Sequence, residues 1–441
     1  MAFSDRIPRS RFLRDSATLQ VAALFNNLGN LVSTFALAHV LGARMQGEYY
    51  LAVATWSFLW FTVNLGLTSV VTSQVAAAVA RKNRLKVAAW LAWLLKSSLV
   101  LGGGATVLAW LVLPGFSAFL YDSRDVGVLA AVLGLTPLVE FGRVVVCAGL
   151  QGARRMGALA RVENAQEYLR VALVITGALV TGDALGPILG NLVASGCGSL
   201  LAVSIYVREQ DEIMPGVRTI LREVRGVPIR HGLRLGLRMG LVRNVDAYGV
   251  QILPAMIMGA LGNEAWVAYL RLAQRFTDVA RTFMQGINRT ALPHFSEIVG
   301  LKELAKLPRA YWRATLLSGL LISSGLLLSL LVMPWVVGFF PLDYRDPVWT
   351  IYKILVPGVM IVSFSVANDT FYLVTNTIRV GVLLSFLGLA VNTTVVAVLA
   401  WMYPKLGVAY GLAFTFTWSL VHISYAAYWF RKNRIETKLS V

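Results

Sequence analysis

Long apolar blocks separated by short polar segments run along the whole chain. Each block is roughly twenty to thirty residues long, the length that an α-helix needs to cross a bilayer core. Twelve spans are predicted, at about residues 16–41, 48–80, 87–112, 126–150, 162–181, 187–207, 233–260, 265–292, 310–338, 349–374, 379–402 and 406–430. Hydrophobic residues make up 57% of the chain and charged residues 14%. Soluble domains lack such repeated blocks, so the sequence predicts an all-α polytopic membrane protein.

The first half of the chain recurs in the second half. LGARMQGEY from Leu41 reappears as LGNEAWVAY from Leu261, a displacement of 220 residues. The same displacement relates Pro114 to Pro334, Phe119 to Phe339, and Pro137 to Pro357, and LGPILG recurs as LGVAYG one residue out of step. A common displacement near half the chain indicates duplication. Because each half has six predicted spans, we expect two parallel six-helix bundles, related by an axis along the membrane normal and enclosing a central cavity.

Basic residues concentrate in the segments on one side of the predicted spans. They include four arginines before the first span, RKNRLK, GARRM, the stretch from Arg208 to Arg238 and the final RKNR. By the positive-inside rule this side is cytoplasmic, in a plasma (inner) membrane. The predicted organisation is a cytoplasmic N-terminal segment (1–15), a first bundle (16–207), a cytoplasmic linker (208–232), a second bundle (233–430) and a cytoplasmic tail (431–441). The net charge of +18 then reflects topology, and no nucleic-acid partner is predicted.

The linker has two open interpretations. Its LREVRGVPIR stretch, after the Pro215-Gly216 break, is compatible with a short helix at the membrane interface or with a plain solvated connector.

The eighth span differs from lipid-facing sequence. Its polar residues fall within an arc of roughly 140° on a helical projection, opposite an apolar side. They are Arg271, Gln274, Arg275, Asp278, Arg281, Gln285, Asn288 and Arg289. Asp278 could simply neutralise Arg275 or Arg281 at i,i+3 spacing, yet arginine remains in excess. Since guanidinium groups bind phosphate oxygens in bidentate fashion, the surplus favours an anionic ligand such as a diphosphate.

Other polar residues inside predicted spans are less decisive. Three pairs at i,i+3 spacing are predicted to be structural: Glu140 with Arg143, Glu167 with Arg170, and Arg243 with Asp246. Lys96 has no obvious local partner and is a candidate for the substrate cavity. Asn26, Asn30 and Asn64 could line that cavity or join helices by hydrogen bonds. For coupling to an ion gradient, Asp278 is the first candidate and Glu140 the second.

The sequence contains no enzyme signature. It has no metal-spaced histidine cluster and no nucleophile elbow, and the predicted external loops are at most roughly a dozen residues long. We therefore expect a protein that is not an enzyme and uses no cofactor or metal. Transport would instead be driven by a H⁺ or Na⁺ gradient or by the membrane potential.

Several motifs together resemble the polysaccharide flippase family. They are the LGxxxxxxY repeat, NLGLTSVVTSQVA after its first copy, AYLRLAQRF in the eighth span and PKLGVAYG before the last span. The superfamily also holds lipid II flippases and multidrug and toxic compound extrusion exporters. The resemblance implies two bundles in a V shape, alternating access, and a cavity formed by the first, second, seventh and eighth spans. The implied substrate is an oligosaccharide on a polyprenyl diphosphate, moved to the outer leaflet for surface polysaccharide, with a polymerase and glycosyltransferases as partners.

The chain departs from this family pattern in places. Asn64 stands where many relatives carry an acid, and Gln74 stands where a base is common. Lipid II flippases have two further spans. The alternatives are a multidrug-type, cation-coupled exporter and a membrane glycosyltransferase or ligase acting on lipid-linked sugars. A cation exporter needs membrane carboxylates, whereas four arginines accompany one aspartate in the eighth span.

Overall fold

The protein is all-helical at its regular elements and divides into two compact units, Met1–Asn244 and Val245–Val441. The computed structural model describes residues 9–63, 66–229, 245, 248–300 and 303–439. Asn64, the predicted pair of Arg243 with Asp246, and the start of the seventh span lie outside the described residues. The same holds for the side chain of Arg289.

Eight helices form the described part of the first unit. They are α1 (Arg9–Val63), α2 (Leu67–Ala80), α3 (Arg84–Tyr121), α4 (Arg124–Leu133), α5 (Thr136–Gly152), α6 (Met156–Thr181), α7 (Leu185–Arg208) and α8 (Val217–Glu223). The first seven carry the six predicted spans of this half, and α8 lies in the predicted linker.

The described part of the second unit opens on a π-helical turn, Tyr248–Ile252, which continues directly into a helix. Its α-helices are α9 (Leu253–Ala260), α10 (Glu264–Gly300), α11 (Leu307–Val337), α12 (Leu342–Ser363), α13 (Asn368–Val374), α14 (Ile378–Met402), α15 (Gly407–Thr417) and α16 (Ser419–Leu439). The polar eighth span is therefore one continuous helix, α10.

The predicted spans coincide with helix over most of their described positions, which confirms the fold class. Six helical segments of the described chain are long and apolar enough to cross a membrane, and a seventh if α1 and α2, bent by 49°, count as one span. Several predicted spans do not correspond to one helix each. The first two spans form one helix with a kink at Gly42, and the fourth is broken between α4 and α5.

Matching glycines interrupt the two halves at the same place. Gly42 and Gly262, the second residues of the repeated LG motifs, both have φ near +70°. Only glycine adopts this left-handed conformation without a steric cost, so each ends one helical run and lets the chain turn into the next. Pro114 and Pro334 also both lie inside long helices, α3 and α11. These shared details support the duplication predicted from the sequence.

The second repeated motif serves close helix packing. A Cβ atom on Gly186 would overlap the backbone of Gly177 in α6, and one on Gly407 would overlap the backbone of Leu399 in α14. Small residues let membrane helices approach until their backbones touch, which replaces the missing hydrophobic driving force with van der Waals contact. The first LG motif thus packs the start of α7 against α6, and the second packs the start of α15 against α14.

The linker is partly helical and packs on the first unit. Ile220 of α8 is buried in the apolar cluster of α3, which includes Trp93 and Leu94, whereas the neighbouring Leu221 is 55% exposed. The linker thus contains a short helix, and its place at the membrane interface stays a prediction. Asp211 caps the turn before it by accepting from the backbone N–H groups of Ile213 and Met214, at 2.8 and 2.7 Å.

Candidate functional site

Helix α10 carries the polar face predicted for the eighth span. Charged and amide side chains recur along nearly its whole length, so α10 is not among the described helices that are apolar enough to cross a membrane by composition alone. Leu272, Ala273 and Thr277 are buried and pack this helix within the second unit. The polar residues then divide into those bonded inside the unit and those that keep exposed surface.

Gln274 and Arg271 belong to the bonded group. Gln274 is only 7% exposed, and its side-chain Nε2 donates to the backbone oxygen of Val250 at 2.8 Å. Its Oε1 accepts from Nη1 of Arg271 at 3.3 Å. Because Val250 lies in the π-helical turn, the hydrogen bond from Gln274 to Val250 joins α10 to the segment before α9. Both residues remain predicted ligands, but Gln274 also has a clear structural task.

Arg275 and Asp278 form a loose pair on the same helix. Nη1 of Arg275 lies 3.8 Å from Oδ2 of Asp278, near the outer limit for an ion pair, and the side chains are 37% and 24% exposed. A contact this long has no direct hydrogen bond. The guanidinium therefore keeps donors that are not used by this aspartate.

Arg281 lies over an aromatic ring. Its Cζ is 5.5 Å from the centroid of Phe416 in α15, a cation–π arrangement that orients the guanidinium without neutralising it. Within the described side chains, no carboxylate lies within ion-pair distance of Arg281. The ring thus fixes the position of a positive charge and leaves its hydrogen-bond donors available.

The last polar positions of the face lie near the far end of α10. Asn288 accepts a hydrogen bond from Thr370 of α13 through Oδ1, at 2.6 Å. Gln285 is exposed. The structure thus keeps Arg275, Asp278, Arg281 and Gln285 on one helix with exposed or half-buried side chains, and positive charge outnumbers negative among them. Such a surface can bind an anion carrying several oxygens.

The predicted polar pairs of the first unit are compact. Arg170 binds Glu167 through two contacts, Nη2 to Oε1 at 2.6 Å and Nε to Oε2 at 3.0 Å. Its Nη2 also donates to Oδ1 of Asn30 at 2.9 Å, and Asn30 in turn donates to the backbone oxygen of Asn26 at 3.0 Å. Asn30 therefore joins α1 to α6, which is the helix-joining alternative for this residue.

Glu140 and Arg143 also form the ion pair expected from their spacing, with both side chains about one quarter exposed. Lys96 has a partner that its local sequence does not reveal. Its Nζ donates to the backbone oxygen of Val227, in the linker, at 3.0 Å. Lys96 is thus held by the segment that leaves α8.

Comparison with known proteins identifies the family. Residues 12–299 match the family described as polysaccharide biosynthesis protein. No curated protein sequence matches the chain significantly.

Solved structures resemble the chain over nearly all of its length. An inward-facing multidrug resistance MATE family transporter of the MOP superfamily is 16% identical, with a TM-score of 0.73, over 92% of this chain and 95% of that one. The lipid II flippase MurJ is 12% identical, with a TM-score of 0.72, over 92% of this chain and 86% of that one. A MOP superfamily transporter from Pyrococcus furiosus is 15% identical, with a TM-score of 0.66, over 95% of each chain.

At these identities the solved structures establish the fold, while the family match covers well over half of the chain. The relatives are transporters and flippases, and the apolar helices agree with a multi-pass membrane protein. The chain therefore belongs to the polysaccharide biosynthesis protein family, and its fold is similar to those of MOP superfamily transporters.

Proposed function

We propose that this protein is a membrane transporter, a flippase for oligosaccharides carried on a polyprenyl diphosphate. It would move them from the cytoplasmic to the outer leaflet of the plasma membrane by alternating access, for surface polysaccharide biosynthesis. In this proposal both termini are cytoplasmic, and a polysaccharide polymerase and glycosyltransferases act on either side of the step.

The observation that carries the proposal is the excess of arginine on α10. Arg275 has a single contact at 3.8 Å with its acid, and Arg281 lies over a ring instead of an acid. An uncompensated charge inside a membrane protein is costly, so it is retained where it meets water or an oppositely charged ligand. A diphosphate supplies several oxygens and more than one negative charge, which suits two guanidinium groups.

The chemistry of translocation requires no covalent step. The sugar and diphosphate must be shielded from lipid while the polyprenyl tail stays in it. Arginine donors would replace the water lost by the phosphates when the headgroup enters. Release would then follow if Asp278 competes for Arg275 in the other state, since a ligand shifts an equilibrium only by its different affinity for two states. A cation that binds Asp278 under an ion gradient would bias that competition.

Two relatives support this direction. The lipid II flippase MurJ acts on a lipid-linked substrate, as its name states. The Pyrococcus furiosus transporter is described as having a binding pocket of reverse polarity that suggests a different function. Both have folds similar to that of this chain, and a pocket of reverse polarity is compatible with the excess of arginine on α10.

A multidrug exporter is the second candidate, because a MATE transporter has a similar fold. The sign of the charge argues against it. A lipophilic cation would be repelled by Arg275 and Arg281. Among the described residues, Asp278 is the one carboxylate within ion-pair distance of either arginine. Measuring both substrate classes on one preparation separates the two candidates.

The experiment uses the full chain reconstituted in proteoliposomes with a fluorescent oligosaccharide on a short polyprenyl diphosphate. Reduction of the outer-leaflet dye reports translocation. We expect transport by the wild type and a loss of at least tenfold in Arg275→Gln/Arg281→Gln. The matched control, Arg309→Gln/Arg313→Gln, removes two exposed arginines of α11 and should transport normally. Transport of a lipophilic cation without transport of the lipid-linked sugar would overturn the proposal.

A further inference from the structure

A groove of about 320 Å³ lies where α2 ends and α3 begins, within the first unit. Gln74 and Arg81 line it from the α2 side, and Lys86, Trp90 and Trp93 line it from α3. Val227, beyond α8, closes it. This place is distant in sequence from the arginine face of α10 and plays no part in the function proposed above.

The groove has a basic and an apolar side. Arg81 and Lys86 are exposed cations, and no acidic side chain of the described chain lines the groove. Asn83 caps α3 by accepting from the backbone N–H of Lys86 at 3.0 Å, so the positive end of the helix dipole adds to the same region. Trp90 and the alanines Ala77, Ala78 and Ala89 supply the apolar wall.

The wall is rigid and includes the linker. Trp93 is 1% exposed, its ring lies 5.8 Å from that of Trp90, and its Nε1 donates to the backbone oxygen of Ile229 at 3.0 Å. Lys96 holds Val227, two residues earlier, through its backbone oxygen. The segment that leads from the first unit toward the second is thereby fixed against α3 at the groove.

The groove also lies at the edge of an apolar span. Leu85, between Arg84 and Lys86 at the start of α3, is 69% exposed, and Leu99 and Val100 further along the helix are exposed too. Tryptophan and basic residues concentrate at the boundary between membrane and water. A volume near 320 Å³ fits a headgroup better than a whole lipid, whose chains would remain in the bilayer.

We propose that this groove binds the headgroup of an anionic phospholipid, with its phosphate between Arg81 and Lys86 and its glycerol region against Trp90. Basic pockets at the membrane surface recognise such headgroups, and each cation contributes about 1 kcal/mol to the attraction. Because Val227 forms part of the wall, a bound lipid holds the linker segment in place.

The test uses full-length protein, stripped of lipid in a mild detergent and titrated with dioctanoyl phosphatidylglycerol while native mass spectrometry counts bound lipid. We expect Arg81→Gln/Lys86→Gln to weaken the affinity about thirtyfold. Trp90→Ala should weaken it several-fold. Lys82→Gln/Arg84→Gln removes the same charge from the same loop outside the groove, so its affinity should change less than twofold.

Four results would overturn the proposal. An equal loss of lipid affinity in both double variants would mean that the attraction is spread over the surface. Equally tight binding of dioctanoyl phosphatidylcholine would mean that the groove does not distinguish headgroups by charge. Displacement of the lipid by millimolar inorganic phosphate would identify a site for a free anion. If the binding of a prenyl diphosphate required Arg81 and Lys86 and the binding of phosphatidylglycerol did not, the groove would be a substrate site. The lipid titration measures binding and not transport, so the proposed function can fail while the lipid site is still confirmed or excluded.

Discussion

Arginine side chains in the two units differ in how closely polar partners bind their guanidinium groups. In the first unit, Arg170 makes two contacts with Glu167 and a third hydrogen bond to Asn30, all at 3.0 Å or less. In the second, Arg275 approaches Asp278 only to 3.8 Å, and Arg281 lies over Phe416. Arg170 is therefore held by close polar partners, whereas Arg275 and Arg281 keep unused hydrogen-bond donors. Close partners indicate a structural role, and unused donors indicate a ligand.

The largest expected effect is on stability and comes from Arg170→Gln. The change leaves Glu167 partly buried without its cation, which costs about 3 to 5 kcal/mol for a buried ion pair. We expect a sharply lower thermal unfolding temperature of the detergent-solubilised protein. Glu167→Gln/Arg170→Gln should recover most of the loss, because it leaves no lone charge. A stable Arg170→Gln protein that fails in transport would mean that this pair also serves function.

The second prediction concerns coupling through Asp278. If the aspartate gains and loses Arg275 during the cycle, Asp278→Asn removes the group on which an ion gradient acts. The variant should fold normally and transport at a rate that no longer responds to an imposed H⁺ or Na⁺ gradient in proteoliposomes. Glu140→Gln is the comparison, since Glu140 already has a close partner in Arg143. A normal gradient response in Asp278→Asn would exclude the site.

A smaller effect is expected from separating charge and geometry at Arg281. Arg281→Lys keeps the positive charge but loses the planar fork, so transport should fall several-fold less than in Arg281→Gln. Phe416→Leu keeps the arginine and removes the ring under it, which is worth about 0.5 to 1 kcal/mol, or two- to fivefold. Initial rates of translocation measure both. Full activity of Arg281→Gln would remove this arginine from the site.

The smallest effect belongs to the linker. The backbone N–H groups of Met214 and Ile213, together with the Arg155 guanidinium, lower the pKa of Asp211. A depressed pKa means that this stabilisation is present at neutral pH and is lost as the pH falls through the lowered pKa. The protection factors of the Ile213 and Met214 amides, which are exchange rates relative to the intrinsic rate at the same pH, should fall in acid and in Asp211→Asn, but not in Glu212→Gln. Protection that is independent of Asp211 would contradict the assigned cap.

Local features of the molecule could be predicted from the sequence. Span positions follow from apolar length, the pairs of Glu167 with Arg170 and Glu140 with Arg143 follow from i,i+3 spacing, and the turn at Gly262 follows from its match to Gly42. In each case the information lies within a few residues or in a repeated segment.

Contacts between distant segments could not be predicted in this way. Lys96 lies 131 residues from Val227, and Arg170 lies 140 residues from Asn30. Phe416 under Arg281 is an ordinary apolar residue in its own span, with no mark of its role. Helical periodicity reports which face of a helix is polar but not which helix it meets. Partner identity therefore required the tertiary structure.

The most direct measurement compares the affinity for a short-chain prenyl diphosphate with that for the corresponding monophosphate by isothermal titration. The wild type should prefer the diphosphate. In Arg275→Gln/Arg281→Gln that preference should disappear and the diphosphate affinity should fall by about a hundredfold or more, since each of the two lost hydrogen bonds to a charged group contributes about 1.5 to 3 kcal/mol. Arg309→Gln/Arg313→Gln should bind as the wild type does. Undiminished preference for the diphosphate in the α10 variant would contradict the assignment of its arginines to the substrate.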